Sequence, residues 1–184
     1  MGTNTGISSR EYNTQRTVGV WLLYIGVIII ISAAAGGDLF IHPYIMGFGY
    51  FVGFLLILVL PFVNNKLSYG KNTKFQDRMD NVSVAVTIVL CTICGLVIGT
   101  EDLRLLWLCI LTIIGVHFFG FYFSQGKIML LLGVLTTANA VMGILLADIP
   151  FLLLAAIDGM LKVVFGIKML FMRRPPNPAS IDVD

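Results

Sequence analysis

The sequence predicts an all-α membrane protein, a bundle of six transmembrane helices with both termini in the cytoplasm. Of its 184 residues, 58% are apolar and 12% are charged, and the mean hydropathy is +0.93. A soluble domain is about half apolar and about a quarter charged, so a single soluble core is excluded. The 12 basic and 10 acidic residues nearly balance, which excludes a highly charged disordered chain and a cationic nucleic-acid-binding protein.

Six apolar runs are each long enough to cross a bilayer. About 20 residues rising about 1.5 Å each span the roughly 30 Å hydrocarbon core, and a helix satisfies its own backbone hydrogen bonds where lipid offers none. The runs cover about 17–35, 44–63, 82–99, 103–124, 127–147 and 149–171, and are called spans one to six. Residues 1–16 are expected to be a polar N-terminal tail, and 173–184 a Pro-rich C-terminal tail that cannot continue a helix.

The distribution of basic residues predicts the orientation. One side of the predicted bundle collects Arg10, Arg16, Lys66, Lys71, Lys74, Arg78, Lys127, Arg173 and Arg174. The opposite side has Arg104 alone. Basic residues in short loops are retained in the cytoplasm, so both termini are expected there and the protein in the cytoplasmic membrane. The alternative for span one is a signal peptide ending at Ala33-Ala34-Ala35, but the polar stretch before it is long for such a signal.

Small residues recur at helical spacing in the last two spans. Span five has Gly133, Thr136, Ala140, Gly143 and Ala147 on one face, and span six has Ala155, Asp158, Gly159, Lys162 and Gly166. Small residues let helix backbones approach in lipid, so the two spans are expected to pack as a close antiparallel hairpin. Glycine faces could also support a homo-oligomer.

Four polar side chains fall within the spans and form the candidate site. Asp158 and Lys162 are one turn apart on span six, with the acid preceding the base. Counting residues from the predicted outer surface places Asn139 of span five at the depth of Asp158, and His117 of span four at that of Lys162. If these spans are neighbours, Asp158 carries an ion or proton, Lys162 is its counter-ion, Asn139 positions a ligand and His117 relays protons. The alternative is a self-neutralising ion pair and a hydrogen-bonded core histidine.

His117 begins the segment His-Phe-Phe-Gly-Phe-Tyr-Phe-Ser-Gln-Gly-Lys, which ends at Lys127. Its aromatic residues either anchor the helix at the interface or line an apolar ligand. This segment, in a short chain with six spans, resembles a family of uncharacterised bacterial integral-membrane proteins. The resemblance implies a bacterial inner-membrane setting and no assigned activity.

Cysteines provide the enzyme alternative. Cys91 and Cys94 form a C-x-x-C, and Cys109 lies at a similar predicted depth. A membrane thiol oxidoreductase would use such a pair, but exchange needs an accessible thiolate, and no second cysteine pair is present in a loop. Cys91, Cys94 and His117 lack a fourth ligand for a metal site, and no P-loop, H-E-x-x-H or G-x-S-x-G motif occurs.

The sequence therefore favours a transporter-like membrane protein that binds or moves a small solute or proton, without a cofactor or a metal. The alternatives are an accessory or signalling subunit of a larger membrane assembly, and the thiol oxidoreductase. The expected partners are the lipid bilayer and an unnamed small molecule or ion.

Overall fold

The computed structural model describes residues 12–60 and 66–172. They form a helical bundle in which no described residue belongs to a strand. The helices are α1 (Gln15–Ala34), α2 (Pro43–Gly53), α3 (Lys74–Ile98), α4 (Leu103–Gly120), α5 (Tyr122–Gln125), α6 (Lys127–Leu145) and α7 (Phe151–Leu170). A π-helical segment, Phe54–Val59, continues α2. The predicted all-α fold is confirmed, whereas the tails at 1–11 and 173–184 and the end of span two at 61–63 lie outside the described residues.

Helix α3 begins eight residues before the predicted start of span three. A capping box fixes this start: Gln76 N–H donates to Thr73 Oγ1 at 3.3 Å, and Thr73 N–H donates to Gln76 Oε1 at 2.9 Å. Such a cap satisfies backbone donors that the first helical turn leaves free. The polar first turns therefore extend the helix beyond its apolar part.

Span four is divided in two. Helix α4 ends at Gly120, and the short helix α5 follows Phe121. The α5 turn is held against α3 because Ser124 Oγ donates to Asp80 Oδ1 at 2.6 Å and Gln76 Nε2 donates to the Phe123 carbonyl at 3.1 Å. Polar contacts thus tie α3 to α5 at one end of the bundle.

Four helices, α1, α3, α4 and α6, are long and apolar enough to cross a membrane. This marks the chain as a membrane protein. The segment from Pro43 to Val59 is apolar but shorter, and α7 has 20 residues with Asp158, Lys162 and Lys168 among them. The apolar window of α3 has none of its residues buried, an exposure that lipid tolerates and water does not.

Glycines bring α1 and α7 together along their lengths. The two helices are antiparallel, with Gly19 opposite Gly166 and Gly26 opposite Gly159. A Cβ added to Gly26 would lie 2.5 Å from the Gly159 carbonyl oxygen, and one added to Gly166 would lie 2.6 Å from that of Gly19. No side chain fits between backbones this close, so the start of α1 and the end of α7 are fixed at the same end of the bundle.

Helix α7, which corresponds to span six, packs mainly against α1. This differs from the sequence prediction, in which spans five and six form a close hairpin. Helices α6 and α7 do touch, but over a shorter stretch than α1 and α7. The glycines explain this arrangement, because those of α7 face α1, whereas Gly133 of α6 faces α4. A Cβ on Gly133 would lie 3.0 Å from the Gly115 carbonyl oxygen.

The remaining contacts complete the bundle. Helix α2 packs against α1, where Tyr24 lies over Gly53 and donates its hydroxyl to the Gly49 carbonyl at 2.8 Å. At the end opposite the α3–α5 contact, the Arg104 guanidinium donates to the Gly143 and Ile149 carbonyls at 3.3 and 2.9 Å. Arg104 thus satisfies one carbonyl in the last turn of α6 and one in the connection between α6 and α7.

We expect Gly26→Ala to lower the thermal unfolding midpoint of the detergent-solubilised protein. The added methyl group has to push α1 and α7 apart, and overpacking typically costs about 1–3 kcal/mol. The matched control is Gly95→Ala on α3, where no atom lies within 4 Å of the added Cβ, and where alanine favours the helix by about 1 kcal/mol. Equal midpoints for the two variants would show that the α1–α7 contact is not this close.

Candidate functional site

Helix α7 carries a charged pair in the face that it buries. Asp158 and Lys162 lie one turn apart, and Lys162 Nζ donates to Asp158 Oδ2. Their exposed fractions are 0% and 1%. An ionised side chain at the centre of a membrane helix costs at least about 2.5–3.5 kcal/mol. Each charge of the pair therefore lowers the cost of burying the other.

The pair leaves hydrogen-bonding capacity unused. Asp158 Oδ1 is buried and has no partner among the described residues. The Lys162 ammonium has three N–H donors, and within the described part of the chain Asp158 is its one hydrogen-bond acceptor. Lys162 Nζ also lies 5.6 Å from the centre of the Phe118 ring, where an aromatic face attracts a cation. The pair can therefore accept a further polar partner.

His117, on α4, is oriented by two hydroxyl groups of α3. Ser83 Oγ donates to the His117 carbonyl at 2.8 Å, and Thr87 Oγ1 donates to the Ser83 carbonyl at 2.9 Å. Both hydroxyl oxygens also lie close to His117 Nδ1, at 3.1 and 2.9 Å. Each hydroxyl has one proton, and both protons are already donated to the two carbonyls. The contacts with Nδ1 are therefore hydrogen bonds only if Nδ1 carries a hydrogen and donates it to the hydroxyl oxygens. His117 Nε2 is then a free acceptor, since no described residue bonds to it.

A cavity of about 350 Å³ lies among α1, α2, α3, α4 and α7, and both Lys162 and His117 line it. Its other walls are mainly apolar. They comprise Trp21, Leu22, Ile25 and Ile29 of α1, Met46 and Tyr50 of α2, Val84, Thr87, Ile88, Cys91 and Thr92 of α3, and Ile114 and Phe118 of α4. An apolar cavity with a few polar groups is the usual form of a small-molecule site.

A second cavity, of about 410 Å³, continues toward the end of the bundle where α1 and α3 begin. It shares His117, Phe118, Trp21 and Tyr50 with the first. Its far end is polar and includes Thr14, Asn72, Asp77, Asp80, Asn81 and Gln125. We call this polar end the vestibule. His117 thus lies between the vestibule and the apolar cavity that Lys162 lines.

Of the four predicted site residues, Lys162 and His117 line the first cavity, whereas Asp158 and Asn139 line neither cavity. Asp158 is connected to the cavity through its pairing with Lys162. Asn139 Nδ2 donates to the Leu154 carbonyl at 2.9 Å. This bond joins α6 to α7 one turn before Asp158.

Several residues around the site were not assigned to it by sequence. Ser83 and Thr87 are four residues apart, the spacing at which two hydroxyls share one helix face, and this signal could have identified them. The aromatic segment that follows His117 divides between two roles. Phe118 and Phe121 line the cavities, with the Phe121 ring 4.5 Å from that of His117, whereas Phe123 packs edge-on against Phe75.

All three cysteines are free. Cys91 lines the cavity that contains His117 and Lys162. Cys94 and Cys109 instead border a separate apolar depression between α3 and α4. The two thiols of the C-x-x-C therefore open onto different surfaces, and the described residues contain no group of three His, Cys, Asp or Glu side chains that could hold a metal ion.

The chain has two histidines, and we expect them to be opposite neutral tautomers. His42 Nδ1 accepts from Ile45 N–H at 3.4 Å, which requires the proton on Nε2, whereas the contacts of His117 place it on Nδ1. Nitrogen NMR of ¹⁵N-histidine-labelled protein distinguishes the two forms. In a Ser83→Ala, Thr87→Val variant, the Nδ1–H signal should diminish while that of His42 stays unchanged. Two Nε2–H tautomers in the unmodified protein would contradict this assignment.

The comparisons with known proteins identify a family to which no activity is assigned. No curated protein and no solved structure matches the chain. A family model described as a family of unknown function (DUF6609) matches residues 5–179. Because the match covers nearly the whole sequence, the chain belongs to this uncharacterised family, DUF6609.

Proposed function

We propose that this protein is a multi-pass protein of the bacterial cytoplasmic membrane that binds a small solute or a proton near mid-membrane and moves it between the two sides. In this proposal all six spans cross the bilayer and both termini are cytoplasmic. The observation that carries the proposal is the buried Asp158–Lys162 pair beside a cavity that Lys162 and His117 line.

The burial of the pair favours a functional role over a purely structural one. A buried ion pair is often no more stabilising than apolar residues of similar size, so stability alone gives little reason to keep it. Ionisable groups inside a membrane typically mark ion or solute pathways. The unsatisfied Asp158 Oδ1 and the unused Lys162 donors are the capacity that such a role requires.

Each residue has a role in the proposal. Asp158 takes up and releases the proton or holds the ion, and Lys162 balances its charge. His117 passes protons between the polar vestibule and the Lys162 cavity, because an imidazole can accept a proton at Nε2 and release one from Nδ1. Asn139 keeps α6 and α7 in register through its bond to Leu154. The acidic side chains of the vestibule, Asp77 and Asp80, attract cations to its entrance.

A pair of variants separates stability from function. Asp158→Leu leaves Lys162 without its partner, and breaking a buried ion pair typically costs about 3–5 kcal/mol. Asp158→Leu combined with Lys162→Met should restore the thermal unfolding midpoint, because apolar residues of similar volume replace such pairs without loss. It should not restore function if the charges act on a solute or proton.

Two measurements provide the functional readout. Native mass spectrometry of protein purified in mild detergent detects a co-purified small molecule. Proteoliposomes loaded with a pH-sensitive dye and clamped with valinomycin and potassium report proton movement after an acid pulse. We expect the unmodified protein to show a bound molecule or a proton flux, and the double variant to show neither at an unchanged midpoint. The proposal is wrong if the double variant equals the unmodified protein in both, or if the unmodified protein shows neither.

A further inference from the structure

We propose that the cavity lined by Lys162 and His117 binds a membrane-dissolved amphiphile with a neutral hydroxyl head, which enters sideways between α2 and α3. This inference deepens the proposed function, on which it rests, by naming the class of solute.

The walls of the cavity suit an apolar chain. Trp21, Ile25 and Ile29 of α1 line it together with Met46 of α2 and Ile88 of α3. Apolar walls offer no compensation for the lost hydration of an ion or a sugar. Polar groups are confined to a few positions, so the occupant is mainly hydrocarbon.

The packing of α3 leaves a side entrance. Among the described helices, α3 is in extended contact with α4 and α5 but not with α1, α2 or α7. Residues 84–92 of α3 and residues 46–50 of α2 nevertheless border the same cavity. The gap between them lies within the apolar length of α3, so it faces the hydrocarbon of the bilayer. A molecule dissolved in the membrane reaches the cavity without crossing water.

The polar groups define the head of the occupant. Lys162 offers an N–H that Asp158 does not use, and His117 Nε2 offers a free acceptor. Both groups lie beside the Phe118 ring. Its centre is 5.6 Å from Lys162 Nζ and 5.8 Å from the centre of the His117 ring. A hydroxyl group matches both, because its oxygen accepts from Lys162 while its hydrogen donates to His117.

Charge and hydrogen-bonding capacity disfavour an anionic head and an ester head. Asp158 already neutralises Lys162, so an anionic head would be a second negative charge with no cation of its own. An ester accepts hydrogen bonds but has no donor for His117. Of these three heads, the neutral hydroxyl is the one that offers both an acceptor and a donor without adding a buried charge.

Quenching of Trp21 fluorescence tests the occupant. The chain has two tryptophans, of which Trp21 lines the cavity and Trp107 does not. In a Trp107→Phe variant Trp21 is the sole tryptophan. The probes are octadecanol, methyl octadecanoate and octadecanoate at alkaline pH, each carrying two bromines at mid-chain. Bromine quenches tryptophan at short range, so each titration reports how well its probe enters the cavity.

We expect brominated octadecanol to quench Trp21 at about a tenfold lower mole fraction than the methyl ester or the carboxylate. A tenfold difference corresponds to about 1.4 kcal/mol, the contribution of one or two hydrogen bonds. His117→Ala should abolish this preference, whereas His42→Ala, a control at the N-cap of α2, should keep it. In a Trp21→Phe variant, Trp107 should be quenched equally by all three probes.

Equal quenching of Trp21 by the three probes overturns the inference, as does a preference for the carboxylate or a preference that survives His117→Ala. A different result distinguishes this failure from a failure of the proposed function. A water-soluble molecule that co-purifies with the protein and is lost in the Asp158→Leu, Lys162→Met variant would support the proposed function while rejecting the amphiphile.

Discussion

The close approach of α1 and α7 organises the rest of the bundle. Where Gly26 meets Gly159, the backbones touch because neither residue has a side chain. The Lys162 β-carbon packs against the same point of α1, 3.1 Å from where a Gly26 Cβ would be. Asp158 and Lys162 are thus enclosed by protein rather than by lipid, and each has the other as its charged partner.

Lipid explains why this arrangement is stable. Between helices in a bilayer there is little hydrophobic driving force, so close backbone packing and internal hydrogen bonds hold the bundle together. Gly115 and Gly133 allow α4 and α6 to pack closely, as the glycines of α1 and α7 do for those two helices. Gly120 of α4 lies against Ser83 of α3, whereas nothing lies within 4 Å of a Cβ added to Gly95. The polar groups Ser83, Thr87 and Asp80 also hold α3, through His117 and Ser124.

The sequence predicts the elements well and their neighbours poorly. The all-α fold follows from composition and apolar run length, and the predicted membrane character agrees with the four long apolar helices. The pairing of α1 with α7 joins residues about 140 positions apart, and a pattern within one span does not say which other span its glycines face. The sequence therefore pairs span six with its chain neighbour, span five.

The same limit applies to the candidate site. Asp158, Lys162 and His117 could be chosen from the cost of polar groups in lipid, without knowing the fold. The cavity that links Lys162 and His117 could not, because α1, α2 and α3 supply most of its walls. The break at Phe121 depends on contacts of Ser124 and Gln76 between α3 and α5, which no single apolar run reveals.

The pairing of α1 with α7 also has a consequence for synthesis. Helix α1 is translated long before α7, so its glycine face has no partner until α7 is made. The charged helix, which inserts least readily on its own, arrives last and finds a preformed surface against which to bury Asp158 and Lys162. Contacts between distant parts of a chain are slow to form, and here such a contact is also the one that shelters the charges. The Asp158–Lys162 pair therefore gains its enclosure only when α7 reaches α1.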